Sequence, residues 1–295
     1  MTSILNNPSA ITALQSLRAT QNALGVAQKQ VSTGYKIGGA EDNASTWSIA
    51  EAMKSDKGAL TTISDALSES SSIMNVANAA VKSAISVMND IKGALVQAQQ
   101  PGADTSKILT SLQQLGNQLK SVVTSATFTG MNVLDGSETG SVKFVASYNN
   151  GGGSAASTVG TIDLNITDLT NAGGTGILEA AQATGASAAT DFTGLVAGDL
   201  AAGTIADTLS NADKAIADLT TYAAEIGATQ SRVTSQNEFI KTMAEALTTG
   251  ISSLVDADMN EASTRLQALQ TQQQLGVQAL SIANQNAQMI LKLFQ

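Results

Sequence analysis

Each end of this 295-residue chain carries a heptad stripe almost without charge, and these stripes constrain its fold most. At the carboxyl end Met259, Ala262, Leu266, Leu269, Gln273, Gly276, Leu280, Ala283, Ala287, Ile290 and Phe294 follow steps of three and four. From Ala262 to Gln295 only Arg265 and Lys292 are charged. At the amino end Ala10, Leu14, Leu17, Gln21, Leu24, Gln28 and Val31 keep the same spacing, and Arg18 is the only charged residue before Lys29. Steps of three and four place one apolar row along a helix, and two such rows bury each other as a coiled-coil pair. A single pair of this kind is marginal by itself. Both ends are therefore expected to be mobile in the monomer and ordered only among copies of the chain.

Composition excludes several classes. Prolines stand only at Pro8 and Pro101, and aromatics make up 3%, which suits long helices with thin seams. A net charge of −9 with no basic cluster argues against nucleic acid. There is no cysteine for disulfides and no histidine, the commonest general base and metal ligand. No nucleophile–base pair can be assembled, so the expectation is a non-enzyme without cofactor or metal. The amino terminus shows neither a basic segment nor an apolar run of the cleavable secretory kind, and no membrane span is expected.

Between the ends, Met53, Asp56, Leu60, Ile63, Leu67, Ser70, Met74, Ala77, Val81, Ala84, Met88, Ile91 and Leu95 keep one rhythm, which predicts a helix over 44–100. Pro101-Gly102 stops it, and Ile108, Leu112, Leu115, Leu119, Val122 and Ala126 predict a second over 104–127. Alternation then replaces helical spacing: Val142, Phe144, Ala146 and Tyr148, then Ile162, Leu164 and Ile166, predict a β-hairpin region over 141–168. Residues 169–204, rich in Ala, Gly and Thr, read as a surface loop, and the Ser/Thr-rich stretch 154–193 reads as flexible. Helical rhythm resumes over 205–254 and breaks at Val255-Asp256-Ala257-Asp258. At the other end Gly34, Gly38 and Gly39 break the register after Val31. The expected fold is mainly α, a long antiparallel helical bundle with a small hairpin. Residues 1–43 with 255–295 form an inner domain of paired terminal helices, and 44–254 form a central rod. Gly34, Gly38, Gly39, Asp256 and Asp258 are the hinge residues.

Sharper readings of these breaks are weaker. Asp256, Asp258 and Glu261 lack calcium-loop spacing, so a solvated hinge outweighs a cation site. Gly34, Gly38 and Gly39 miss the phosphate-loop pattern, so a bend is the default. Trp47, the only tryptophan, is expected to pack against that bend.

Four segments carry a family resemblance. Val31-Ser-Thr-Gly-Tyr-Lys-Ile-Gly-Gly-Ala-Glu-Asp-Asn-Ala44 resembles the bend after the first helix of bacterial flagellins. Phe128-Thr-Gly-Met-Asn-Val-Leu-Asp-Gly136 is similar to the flagellin segment leading into its hairpin. Ile226-Gly-Ala-Thr-Gln-Ser-Arg232 is similar to the carboxyl-side central helix, and Leu275-Gly-Val-Gln-Ala-Leu-Ser-Ile-Ala-Asn-Gln285 to the terminal helix. Leu254-Val-Asp-Ala-Asp-Met-Asn-Glu-Ala262 and the Gln-rich tail resemble the short flagellins of alphaproteobacteria.

The resemblance implies a secreted subunit that polymerises into the flagellar filament, its self-assembly seams formed by Leu14, Leu17, Leu24, Val31, Met259, Leu266, Leu269, Leu280, Ile290 and Phe294. It also implies type III export with an uncleaved signal, and as partners the export apparatus, a C-terminal export chaperone, and the hook-associated and cap proteins. With so short a segment between Leu169 and Ile205, a core-only filament without large outer domains is expected. The segment recognised by the vertebrate flagellin-sensing Toll-like receptor matches Asp90-Ile-Lys-Gly-Ala-Leu-Val-Gln97. Recognised flagellins carry Arg where Asp90 stands and Glu where Gly93 stands. Charge reversal at a contact implies weak or absent receptor activation. A hook–filament junction protein shares such ends and is the alternative, and a general helical-bundle adaptor would explain the heptads but not the ordered motifs.

Overall fold

A computed structural model describes residues 7–137, 140–151, 156–170 and 175–293, with side chains through residue 285. Among these residues five α-helices, α1 (Pro8–Thr33), α2 (Ala44–Ala98), α3 (Thr105–Thr124), α4 (Ile205–Val255) and α5 (Met259–Leu293), accompany one antiparallel hairpin of β1 (Ser141–Asn149) and β2 (Thr158–Asn165). The chain divides into two compact units, residues 1–57 with 245–295 and residues 58–244. The expected boundaries lay at the glycine bend and the acidic joint, whereas the division falls inside α2 and α4. No helix among the described residues is long and apolar enough to cross a membrane.

In the central unit the heptad rhythm of α2 becomes a closed core. Every stripe position from Leu60 to Leu95 is buried, and Leu67, Met74, Val81, Ala84, Met88, Ile91 and Leu95 have no exposure at all. Leu112, Leu119 and Val123 of α3 and Ala212, Leu219, Ile226 and Val233 of α4 are equally buried. Polar pairs set the register of α2 against α4. Ser64 Oγ donates to Asn237 Oδ1, Gln230 Nε2 to Asn75 Oδ1, and Lys92 pairs with Asp213. As α2 numbers rise, their α4 partners fall, so the two helices run antiparallel. The hairpin turns Phe144 and Ala146 of β1 and Ile162 and Leu164 of β2 to one buried face. Its pairing shifts between Val145 and Ser147, leaving Ala146 as the extra residue of a bulge.

Among the described residues of 169–204, the surface-loop reading is corrected at a set of buried anchors. Leu169, Leu178 and Phe192 are wholly buried, and Leu195 nearly so. Main-chain bonds tie the segment together: Leu178 N–H donates to the Leu169 carbonyl, Phe192 N–H to the Leu178 carbonyl, and Thr190 bridges Ala181. Helix side chains satisfy its backbone. Asn211 of α4 accepts from Ala183 N–H and donates to the Ala188 carbonyl, Asp207 accepts from Ser187 N–H, and Thr208 donates to the Asp199 carbonyl. A Cβ at Gly116 of α3 would stand 2.7 Å from the Phe192 carbonyl oxygen, so the absence of a side chain lets the segment lie against that helix. Spaced apolar anchors on irregular backbone have no period, which is why the pattern reads as loop.

Candidate assembly site

The terminal unit is built on α1 against α5. Asn7 caps α1, its Oδ1 accepting from Ala10 N–H, and Pro8 occupies the first turn where no donor is needed. The same side chain donates to the Ala283 carbonyl of α5 at 2.9 Å. Ten residues on, Leu17 sits over Gly276, whose Cβ would lie 3.2 Å from Leu17 Cδ1. Further along, Tyr35 bridges Asp256. These three pairings descend α5 as they ascend α1, so the helices are antiparallel.

Both register breaks meet in a single joint. Gly34 ends α1 in the left-handed region at φ 76°, its N–H bonded to the Gln30 carbonyl, a geometry that glycine adopts without strain. Lys36 N–H and Ile37 N–H donate to the Val255 carbonyl at 2.7 and 3.2 Å, and Ala257 N–H donates to the Gly34 carbonyl at 2.8 Å. Val255 is buried beneath. The expected pair of separate hinges is thus one small two-stranded clasp. Within it Asp258 caps α5, its Oδ1 accepting from Asn260 and Glu261 N–H, and Glu261 adds an acid to the first turn. Asp256 supplies backbone, and its side chain is exposed.

A charged clamp closes the glycine bend. Lys29 Nζ reaches Glu41 at 3.3 Å and Asp42 at 3.4 Å, and Asp42 Oδ2 accepts from Gly38 N–H at 2.9 Å. Glu41 is held below the usual carboxylate range by a hydrogen bond from its own backbone N–H and then by Lys29. Asp42 is held low by Gly38 N–H first and by Lys29 after it. Lys29 is raised, chiefly by its bond to Glu41. All three groups are solvated, so the clamp biases the bend rather than anchoring it. Trp47 is half-buried on the first turn of α2.

Against this frame the expected seam residues differ in cover. Leu17 is buried, together with Ala27 and Ala262. Leu24, Val31, Leu266, Leu269 and Leu280 are half-buried, while Leu14 and Met259 are exposed. The side chain of Ile290, and Phe294 as a whole, lie outside the described residues. The sequence reading missed a second apolar set off the seam. Ile11 and Val26 on α1 and Leu275, Val277 and Ile282 on α5 are all exposed, Leu275 at 58% and Ile282 at 59%. One signal could have found them. A helix whose outer face lacks charge is not designed to leave that face in water, and Leu275 and Ile282 stand one heptad apart. Asp90 and Gly93 are exposed, three residues apart and so on one face of α2.

Comparison with known proteins places both ends and the body together. Residues 4–139 match the bacterial flagellin N-terminal helical region, and residues 209–294 match the bacterial flagellin C-terminal helical region. Flagellin C of Rhizobium meliloti (strain 1021) is 40% identical over an alignment of 324 residues that covers all of both chains. A flagellin of Brucella melitensis biotype 1 is 40% identical over 296 residues, again covering both chains completely. A flagellin of Caulobacter vibrioides is 31% identical across the whole of this chain and 99% of its own.

Proposed function

Because this chain belongs to the bacterial flagellin family, in its alphaproteobacterial type, we propose that its terminal helices complete their burial only between subunits of the filament. The protein is a structural subunit of the extracellular flagellar filament, not an enzyme, and it serves motility by self-polymerisation. The observation that carries the mechanism is the exposure left on α1 and α5 after they have packed against each other. Leu275, Val277 and Ile282 on α5, with Ile11 and Val26 on α1, form apolar surface that one chain does not cover. Burying such side chains contributes about 1.5–3 kcal/mol each, so a few of them per contact suffice to drive ordered assembly. The half-buried seam residues Leu24, Leu266, Leu269 and Leu280 hold the pair in register for that step, with Leu14 and Met259 continuing the seam. The clasp at Gly34 and Val255–Ala257 holds the pair to the start of α2 and the end of α4.

This reading brings further partners with it. An export chaperone would cover the open face of α5 before secretion, the export apparatus would pass the chain outward, and the hook-associated and cap proteins would offer matching helices at the two filament ends. The described residues of 169–204 include buried anchors at Leu169, Leu178, Phe192 and Leu195, and Asn211, Asp207 and Thr208 of α4 bond its backbone, which supports a filament without large outer domains. Asp90 and Gly93 present a surface of the wrong charge to a Toll-like receptor built for a basic and an acidic residue there, so signalling in a reporter cell line is expected to be weak or absent. No observation favours the hook–filament junction reading.

The double substitution Leu275→Ser with Ile282→Ser tests the mechanism. Neither side chain belongs to the intrachain seam, so the monomer keeps its helical circular dichroism while filaments disappear from negative-stain micrographs. Filaments of normal length from the double variant would defeat it.

A further inference from the structure

We propose that Asn150-Gly151 is a spontaneous modification site, at which each subunit exchanges a side-chain amide for a carboxylate with age. It is the only Asn-Gly pair in the 295 residues. Asn150 follows the last residue of β1, outside regular structure, and is exposed.

The reaction is a cyclisation. The Gly151 backbone nitrogen gives up its proton and attacks Asn150 Cγ. A C–N bond forms, the bond to the side-chain nitrogen breaks, and ammonia leaves carrying that proton. Water then opens the five-membered imide at either carbonyl, giving aspartate or isoaspartate. No electrons are transferred and the only co-reactant is water. The step needs a following residue whose nitrogen can approach the side chain, and glycine, having no Cβ, obstructs that approach least.

The fold keeps the other described asparagines from this geometry. Asn7 precedes Pro8, which has no N–H. Asn22, Asn75, Asn78, Asn89, Asn117, Asn211, Asn237, Asn284 and Asn286 lie within helices, where the next amide is held by the carbonyl four residues before it. Asn260 lies in the first turn of α5, where the following Glu261 N–H donates to Asp258 Oδ1. Asn132 is buried, donating to the Val123 carbonyl and accepting from Leu134 N–H. Asn165 donates to Glu225, and the following Ile166 is β-branched with its N–H bonded to the Gly140 carbonyl. Asn43 precedes Ala44 and Asn149 precedes Asn150, each a residue whose Cβ obstructs the approach. Asn150 combines an exposed position beyond the strand with a following glycine.

Conversion adds a negative charge at the hairpin end of a chain already at −9. The isoaspartate product also lengthens the backbone by one carbon just beyond the Asn149–Thr158 pair, leaving the buried Phe144 and Ile162 in place. That the charge records age in a filament rests on the filament reading above, but the chemistry does not, so the two fail separately.

The test uses the purified full-length monomer, incubated in neutral to mildly alkaline buffer and sampled by peptide mapping with mass spectrometry. The peptide containing Asn150 is expected to gain the mass of OH in place of NH2 ahead of every other asparagine peptide, with isoaspartate exceeding aspartate and ammonia released in equal amount. Gly151→Ala is expected to slow the conversion several-fold, and Asn150→Gln to abolish the early mass gain in that peptide. Conversion at Asn150 no faster than at the helical asparagines, or an undiminished rate in Gly151→Ala, would overturn the proposal.

Discussion

The two units use one sequence rhythm for opposite ends. Along α2, which α4 accompanies in antiparallel register, the three-four spacing from Leu60 to Leu95 disappears from solvent. Along α1 and α5 the same spacing finds one partner helix, and most of its residues stay half-covered. The outer faces differ as well. The central helices carry charge outside their core, such as Glu69, Lys82, Asp90 and Lys214, whereas α5 carries Leu275, Val277 and Ile282. Periodicity therefore reports where a helix is sticky, and the residues on the opposite face report whether one partner is enough. The central unit closes its α2 stripe within one chain, although Val96 of α2 and Phe239 and Met243 of α4 stay exposed. In the proposed mechanism the terminal unit is finished by copies of itself.

The sharpest way to break this comparison is to remove the same kind of side chain from each unit. Leu95→Ala empties a fully buried site and is expected to cost about 2–5 kcal/mol in denaturant unfolding of the monomer. Leu269→Ala removes a half-covered leucine and should cost the monomer well under half of that, while sharply raising the concentration needed for filament growth. Equal monomer costs for the two would end the distinction between a closed core and an open seam.

Glycine contacts offer a smaller contrast. Gly116→Ala drives a methyl into the Phe192 backbone carbonyl, where the whole 190s segment has to shift, and is expected to cost about 1–3 kcal/mol. Gly276→Ala meets only the tip of Leu17, which can turn aside, so the monomer loses less. Thermal melts of the two variants rank them. Next comes Asp258→Ala, which removes the α5 cap and should cost about 1 kcal/mol, seen as faster amide exchange in the first turn of α5.

The smallest effect is that of pH on the bend. Glu41 and Asp42 have lowered folded-state values, so their contribution is present above the ordinary carboxylate range and is lost as pH falls through the folded values. Lys29 is raised, so its contribution is present below its ordinary value and lost only as pH rises through the folded one. The clamp is complete at neutral pH and opens in acid. Fluorescence of Trp47, close in sequence to the bend, is expected to change on acidification below the carboxylate range. Glu41→Gln with Asp42→Asn should remove most of that change.

The sequence made some of this plain and hid the rest for physical reasons. Helices with a repeated apolar step announce themselves, and the strand pair at Phe144 and Ile162 did so by alternation. Pro101-Gly102 and Gly34 marked helix ends through backbone chemistry that does not depend on neighbours. The buried segment around Phe192 was invisible because its anchors follow no period and its backbone bonds go to Asn211, Asp207 and Thr208, far along the chain. At the assembly site the seam was legible and the joint was half legible. Breaks at Gly34 and at 255–258 could be read separately, but nothing in a linear pattern says that Lys36 and Ile37 will donate to Val255. Leu275, Val277 and Ile282 were overlooked because a heptad reading assigns everything off the stripe to solvent.

Hydrogen exchange on monomer and filament, compared amide by amide, tests the central claim most directly. The account predicts that in dilute monomer the amides of α1 and α5 exchange much faster than those around Leu67 to Leu95 of α2, and that filament assembly slows them to the level of the central core. Terminal helices as protected in the monomer as the central core, or unchanged on assembly, would contradict it.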